Sequence, residues 1–163
     1  MGPDVAAGRV TRALAESGSV HEVIDIDPAL ADTARFCAAY GSPMERSANT
    51  ILVASRRGPA RYAACVVLAT DRLDVNGTVK RELGASKASF ADPDLTRELT
   101  GMEIGGVTVL GLPDDLPIWV DPAVMTPEWI ILGAGDRARK IKVAPAILET
   151  LPKSRVVQGL AKR

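Results

Sequence analysis

The sequence predicts an α+β fold in which helices flank a curled, barrel-like mixed β-sheet. Three observations carry that expectation. Helical and strand patterns are scattered along the chain without regular β–α alternation. Two β-rich runs, residues 49–55 and 61–70, are separated by the turn-type sequence Arg56-Arg57-Gly58-Pro59-Ala60 and read as a hairpin. The second run is apolar almost throughout, the pattern of a strand buried on both faces. With 163 residues and neither linker nor internal repeat, residues 1–163 read as one domain.

In chain order, Asp4 is followed by Val5, Val10, Leu14 and Ala15 at helical spacing, with Gly18 as the stop. Residues 20–27 alternate as a strand that Pro28 ends. Residues 32–40 form a second short helix, closed by Gly41-Ser42-Pro43. After the hairpin, Asp74 caps a helix that runs through Leu83 to Gly84. Residues 88–91 read as a brief strand. Asp92-Pro93 opens another helix, with proline in the first turn, which runs to Leu99 and stops at Gly101. Short strands follow at 107–110, 116–120, 129–132 and 141–143, then a last helix at 144–151 broken by Pro152.

The composition, 47% hydrophobic and 25% charged, excludes disordered and fibrous classes. Aromatic residues are only 4%, so the core must be built from Val, Leu, Ile and Ala, and few rings remain for stacking bases. Twenty Lys/Arg balance twenty Asp/Glu, which argues against a protein that coats nucleic acid but permits a local basic patch. From Asp136 onward eight basic residues (Arg137, Arg139, Lys140, Lys142, Lys153, Arg155, Lys162, Arg163) meet only Asp136 and Glu149. Cys37 and Cys65 sit in apolar company, lack partners at ligand spacing, and read as small buried side chains in a reducing compartment. No metal site or cofactor is expected. The longest apolar run, residues 62–69, is too short to span a bilayer, so a cytoplasmic protein with no membrane partner is expected.

The usual catalytic motifs are missing. The chain has one histidine, His21, in a predicted strand, and no G-x-S-x-G, P-loop or H-E-x-x-H sequence. Gly101-Met102-Glu103-Ile104-Gly105-Gly106 follows a predicted helix and precedes none, so it is not a dinucleotide fingerprint. It does offer main chain. Adjacent glycines allow close approach to a ligand and a φ above zero, and backbone N–H groups so aimed can hold a developing oxyanion, about 3 kcal/mol per donor. The plainer alternative is a tight turn between strands. A second cluster, Leu132-Gly133-Ala134-Gly135-Asp136, ends another strand and would form a second wall of the same pocket.

These residues are also where the chain resembles the YbaK/prolyl-tRNA editing family. The markers are Val79-Lys80-Arg81-Glu82-Leu83-Gly84-Ala85, Ala91-Asp92-Pro93, Thr100-Gly101, and Gly105-Gly106-Val107-Thr108 with Gly111. Asn49-Thr50-Ile51-Leu52-Val53 lies upstream; Pro117 to Asp121 and Gly133-Ala134-Gly135 follow downstream. The resemblance is strongest over residues 33–151. It implies hydrolysis of mischarged tRNA, with a pocket for the aminoacyl ester at the tRNA 3′ end. An aminoacyl ester is already activated, so orientation and oxyanion stabilisation can replace a protein nucleophile.

On that resemblance Gly105 and Gly106 supply backbone oxyanion donors, and Asn49 and Thr50 position the ester. Gly133, Ala134 and Gly135 bound the amino-acid side chain, with Met102, Thr108 and Lys140 as further substrate-binding positions. Three departures stand out: Asn49 replaces a usual lysine, Val109 a common proline, and Lys140 a frequent acid. Lys140 would restore the charge missing at residue 49 only if both side chains face one pocket. The leading expectation is therefore an aminoacyl-tRNA deacylase. A non-catalytic tRNA-binding module on the same fold is the alternative, and a small-molecule or protein-interaction domain the third reading. Oligomeric state is left open.

Overall fold

Apolar spacing begins to act in the first helix of the chain, whose computed structural model describes residues 3–163. Helix α1 (Pro3–Ser17) turns Ala6, Val10 and Leu14, at i, i+4 intervals, into the main core. Strand β1 (His21–Asp25) follows, largely exposed. Helix α2 (Thr33–Tyr40) starts after Asp32 and ends at Gly41 with φ 66°, as its sequence predicts. Strands β2 (Ala48–Ser55) and β3 (Tyr62–Leu68) form the expected hairpin, from Ala48 opposite Leu68 to Ala54 opposite Tyr62. β3 is buried on both faces: Ala64, Val66 and Leu68 enter one core, Ala63, Cys65 and Val67 a second. Burial pushes the Cys65 thiol pKa far up, which leaves it an inert core side chain.

Strand β4 (Arg72–Leu73) leads into helix α3 (Lys80–Leu83) through a wide π-turn at Val75–Val79. The single helix expected from Asp74 to Leu83 is thus split. The Asp74 carboxylate accepts bonds from Thr78 N–H (3.2 Å) and Thr78 Oγ1 (3.3 Å) and lies directly over Gly77, which widens the first turn. Strand β5 (Ala88–Phe90) and helix α4 (Pro93–Thr100) come next. Asp92 caps α4 by accepting from Leu95 N–H at 2.8 Å, and Gly101 closes it. Then follow β6 (Ile118–Val120), β7 (Ile130–Gly133), β8 (Arg139–Val143), β9 (Ser154–Val156) and β10 (Ala161–Lys162).

The strands make a five-stranded mixed sheet in the order β5-β2-β3-β6-β9, a three-stranded antiparallel sheet β1-β8-β7, and a two-stranded β10-β4. The α+β mixed-sheet expectation stands, but no sheet curls or closes into a barrel. Two facts explain why. Residues 107–110, read as a strand from their apolar character, form an irregular buried loop whose N–H groups go to side chains: Thr108 N–H to Met102 Sδ (3.5 Å) and Leu110 N–H to Thr108 Oγ1 (3.4 Å). And β5, β6 and β9 have three residues each, too short to carry a sheet around a closed circuit. The expected helix at 144–151 is a 3₁₀ helix, Pro145–Thr150, confined between Pro145 and Pro152.

Beyond residue 151 the tail clasps both layers. β9 adds to β6 in parallel, and β10 pairs with β4. The fastener is Asp121, fully buried, whose carboxylate accepts from Ala123 N–H (3.0 Å), Ala161 N–H (3.0 Å) and Arg163 Nη2 (2.9 Å). Asp121→Ala should destabilise the chain by about 3 kcal/mol, because it strands buried donors and an arginine together. Asp121→Asn, which keeps the shape and an acceptor, should cost less. Urea unfolding of both variants tests this, and equal midpoints for wild type and Asp121→Ala would refute the clasp.

Candidate functional site

Strand β2 is paired along one side by β3, but on the other side β5 reaches only Val53 to Ser55. A single bridge from Ser47 to Ile131 ties the start of β2 to β7. Between that bridge and β5, residues 49–51 have no strand on their outer side. The wedge left between the two sheets is a cleft of about 260 Å³. Asn49 and Thr50 form one wall, Thr33 and Phe36 from the start of α2 a second, and the loop Ile104, Gly105 and Val107 a third. Ile131, Gly133 and Lys140 complete it.

The loop wall is held by close backbone packing. Gly106 presses against the main chain of Asp136, where a Cβ would collide with the carbonyl. A Cβ on Gly133 would lie 2.5 Å from Val107 O and 2.7 Å from Gly106 O. Gly135 N–H donates to Gly106 O at 2.6 Å. Gly105, at φ 92°, is barred from carrying a side chain by its backbone conformation and by the Arg137 guanidinium beside it.

Two cations fix the peptide planes around Gly105. Arg137 donates through Nη1 to Ile104 O (2.8 Å) and Asp32 Oδ1 (3.3 Å), and through Nε to Pro28 O (3.1 Å). Lys140 donates from Nζ to Gly105 O (2.9 Å) and Ala31 O (2.7 Å). The Gly106 N–H is taken by Glu103 O at 2.9 Å. Among the described residues, Gly105 N–H has no acceptor. Because a trans peptide sets N–H opposite C=O, anchoring Ile104 O on Arg137 fixes the direction of that free N–H.

Lys140 is 6% exposed, no carboxylate among the described residues lies at ion-pair distance, and its Nζ sits 5.6 Å from the centre of the Phe36 ring. Burial lowers its pKa and the Arg137 charge lowers it further, against the opposing influence of Asp32 and Cys37. Across the cleft, Asn49 Oδ1 accepts from Thr33 Oγ1 at 2.8 Å, which leaves the Nδ2 donors without a partner among the described residues. Thr50 Oγ1 is enclosed and has no partner among the described residues.

Five of the residues singled out from the sequence therefore share one cleft: Asn49, Thr50, Gly105, Gly133 and Lys140. The other five do not line it. Gly106 spends its N–H on Glu103, so in this conformation it offers no second donor. Met102 and Thr108 are fully buried behind the loop. Ala134 lines a small cavity beneath α1 on the opposite side of β7, and Gly135 packs against Val10 Cγ2 at 3.3 Å. His21 also borders that second cavity. Sequence reasoning missed Thr33, Phe36 and Arg137. The Asp32 cap that starts α2 was a usable signal for the first two. Arg137 had none, since its partners Ile104, Asp32 and Pro28 lie 33, 105 and 109 positions upstream.

A profile of the aminoacyl-tRNA editing domain matches residues 27–151, well over half of the chain. The chain belongs to the aminoacyl-tRNA editing domain family. A curated relative, the uncharacterised protein YwhH of Bacillus subtilis (strain 168), is 25% identical over 136 residues, covering 83% of this chain and 84% of that one. Among solved structures, a candidate trans-editing enzyme for prolyl-tRNA synthetase superposes with a TM-score of 0.79 at 24% identity over 97% of both chains. The hypothetical protein APE2540 does so at 0.82 with 21% identity, over 94% of this chain and 99% of that one. These two likenesses establish the editing-domain fold. No helix among the described residues is long and apolar enough to cross a membrane.

The Lys140 environment has a pH signature. Its pKa is lower in the folded chain than the ordinary 10.5, so the unfolded chain keeps that proton to higher pH. This group therefore adds stability as pH rises towards the unfolded value and withdraws it as pH falls through the depressed one. Urea midpoints taken from about pH 7 to about pH 10 should rise for wild type relative to Lys140→Met. A difference that stays flat across the range would contradict the buried-cation account.

Proposed function

We propose that this chain hydrolyses the aminoacyl ester of mischarged tRNA in the cleft between β2 and the 104–107 loop. The reading is supported by family membership and by one observation above all: Gly105 N–H is a free, oriented donor in the same cleft as Asn49 and Lys140. An ester carbonyl set against that donor is polarised, and the Lys140 charge nearby favours the oxyanion that forms. The free Nδ2 of Asn49 orients the substrate from the opposite wall. Water, placed by the ribose hydroxyl next to the ester, attacks the acyl carbon. The C–O bond to the ribose breaks, the ribose oxygen takes the proton, and free amino acid and uncharged tRNA leave.

In this scheme Gly105 is the working backbone donor, and Gly106 shapes the loop. Lys140 acts partly through Gly105, by fixing its carbonyl. Purified protein should accelerate deacylation of at least one member of a full panel of mischarged tRNAs, and failure across the panel would end the proposal. On the tRNA that is cleaved, Lys140→Met should lower kcat by about tenfold to a hundredfold through a loosened loop, with KM changed far less. Lys140→Arg should recover part of the loss.

A second reading, a tRNA-binding module without turnover, is favoured by the Asn49–Thr33 bond, which ties the residue-49 amide back against the cleft wall. Asn49→Lys separates the two. A large gain in deacylation would mark a degenerate site, and loss of existing activity would mark Asn49 as a working part.

A further inference from the structure

The excess of basic residues after Asp136 is mostly neutralised in three dimensions. Arg137 pairs with Asp32, Arg139 with Asp136, Arg155 with Glu82, Lys162 with Asp74, and Arg163 with Asp71 and Asp121. Among the described residues Lys142 has no such partner. Its Nζ lies 4.3 Å from the centre of the Trp129 ring, and the guanidinium of Arg46 lies 4.4 Å from the same ring. Arg46 Nη1 is enclosed and has no hydrogen-bond partner. Two cations thus share one indole. Glu22 faces Lys142 across the β1–β8 register, and Glu45 and Glu128 neighbour Arg46 and Trp129 in sequence, but none is within ion-pair distance of either cation.

The position of this cluster relative to the cleft follows from the strands. Lys142 stands opposite Ile131, and Lys140 opposite Gly133, so the two lysines share one face of β8, about 7 Å apart. Arg46 immediately precedes Ser47, the residue bridged to Ile131. Ser47, Ile131 and Lys140 all line the cleft. The cationic strip therefore begins at the cleft wall and leads outward past Trp129. Two like charges over one ring repel each other, and the π face offsets only part of that. An anion bound between them relieves the repulsion.

We propose that Arg46 and Lys142, braced by Trp129, bind backbone phosphates of the RNA strand leading to the 3′-terminal ester. The inference rests on the ester occupying the cleft. It makes the strip, rather than the paired C-terminal residues, the electrostatic contact with tRNA, and gives Trp129 the task of holding two cations rather than stacking a base.

The test compares wild type with the double variant Arg46→Gln/Lys142→Gln on two substrates carrying the same amino acid: the aminoacyl-tRNA, and the phosphate-free aminoacyl ester of adenosine. For tRNA, KM should rise about tenfold or more at moderate salt, and the log–log salt slope should shrink by about 1 per cation removed. Its kcat should hold, and the adenosine ester should be cleaved as by wild type. The charge-keeping variant Arg46→Lys/Lys142→Arg should retain most of the salt slope. Unchanged tRNA KM and salt slope in the Gln variant would overturn the proposal and leave an acidic protein surface as the better partner. An equal loss on the adenosine ester would also overturn it, because the strip would then be supporting the cleft. If wild type cleaves neither ester, the editing reading falls by itself. Binding of uncharged tRNA by both proteins across a potassium chloride series still decides the strip, with the same loss of affinity and slope expected.

Discussion

The contact of bare backbone on bare backbone between residues 105–107 and 133–136 is the constraint on which the cleft depends. Gly106 against Asp136 and Gly133 against Val107 O and Gly106 O leave no room for a Cβ on either side. That approach brings the start of β8 under the loop, and so brings the Lys140 ammonium to the Gly105 carbonyl. Without it the cation would lose the Gly105 carbonyl and keep only that of Ala31. Glycine serves here first as an absence of side chain, and only through that as a provider of donors.

Charge is arranged with the same economy. Most arginines and lysines near the C-terminus meet carboxylates, which cancels the apparent basic bias of that region. Inside the cleft the cation is treated differently. Among the described residues Lys140 is held by carbonyl dipoles and by no carboxylate, in a partly dry wall. The cost is the depressed pKa that burial and Arg137 impose.

Local chemistry was legible wherever short-range rules act alone. The Asp92 helix start, the glycine stops at Gly41, Gly84 and Gly101, and the β2–β3 hairpin follow from side-chain capping, from left-handed glycine and from a turn sequence between two β-rich runs. The reading failed where hydrophobicity stood in for geometry. Residues 107–110 are apolar because they fill a core, and nothing in that composition says whether a ladder or a loop carries them there. The 3₁₀ segment Pro145–Thr150 failed for a related reason, since the two prolines bounding it left too little length for α-helical hydrogen bonding. β9 and β10 exist only because β6 and β4 offer them free edges.

The sequence by itself determined that this is an α+β chain of the editing-domain type, and it singled out two glycine clusters, Asn49 and Lys140 as candidate positions. Those facts are written in residue types and their order. Only the tertiary structure decided which members of the clusters face the cleft. Gly105 and Gly133 line it, while Gly106 packs against Asp136, Ala134 lines the cavity beneath α1 and Gly135 packs against Val10. It likewise decided that Lys140 holds Gly105, and that Arg137 holds both the loop and Asp32. Each of those bonds spans 33 to 109 positions of chain, and no local pattern encodes a partner so far away.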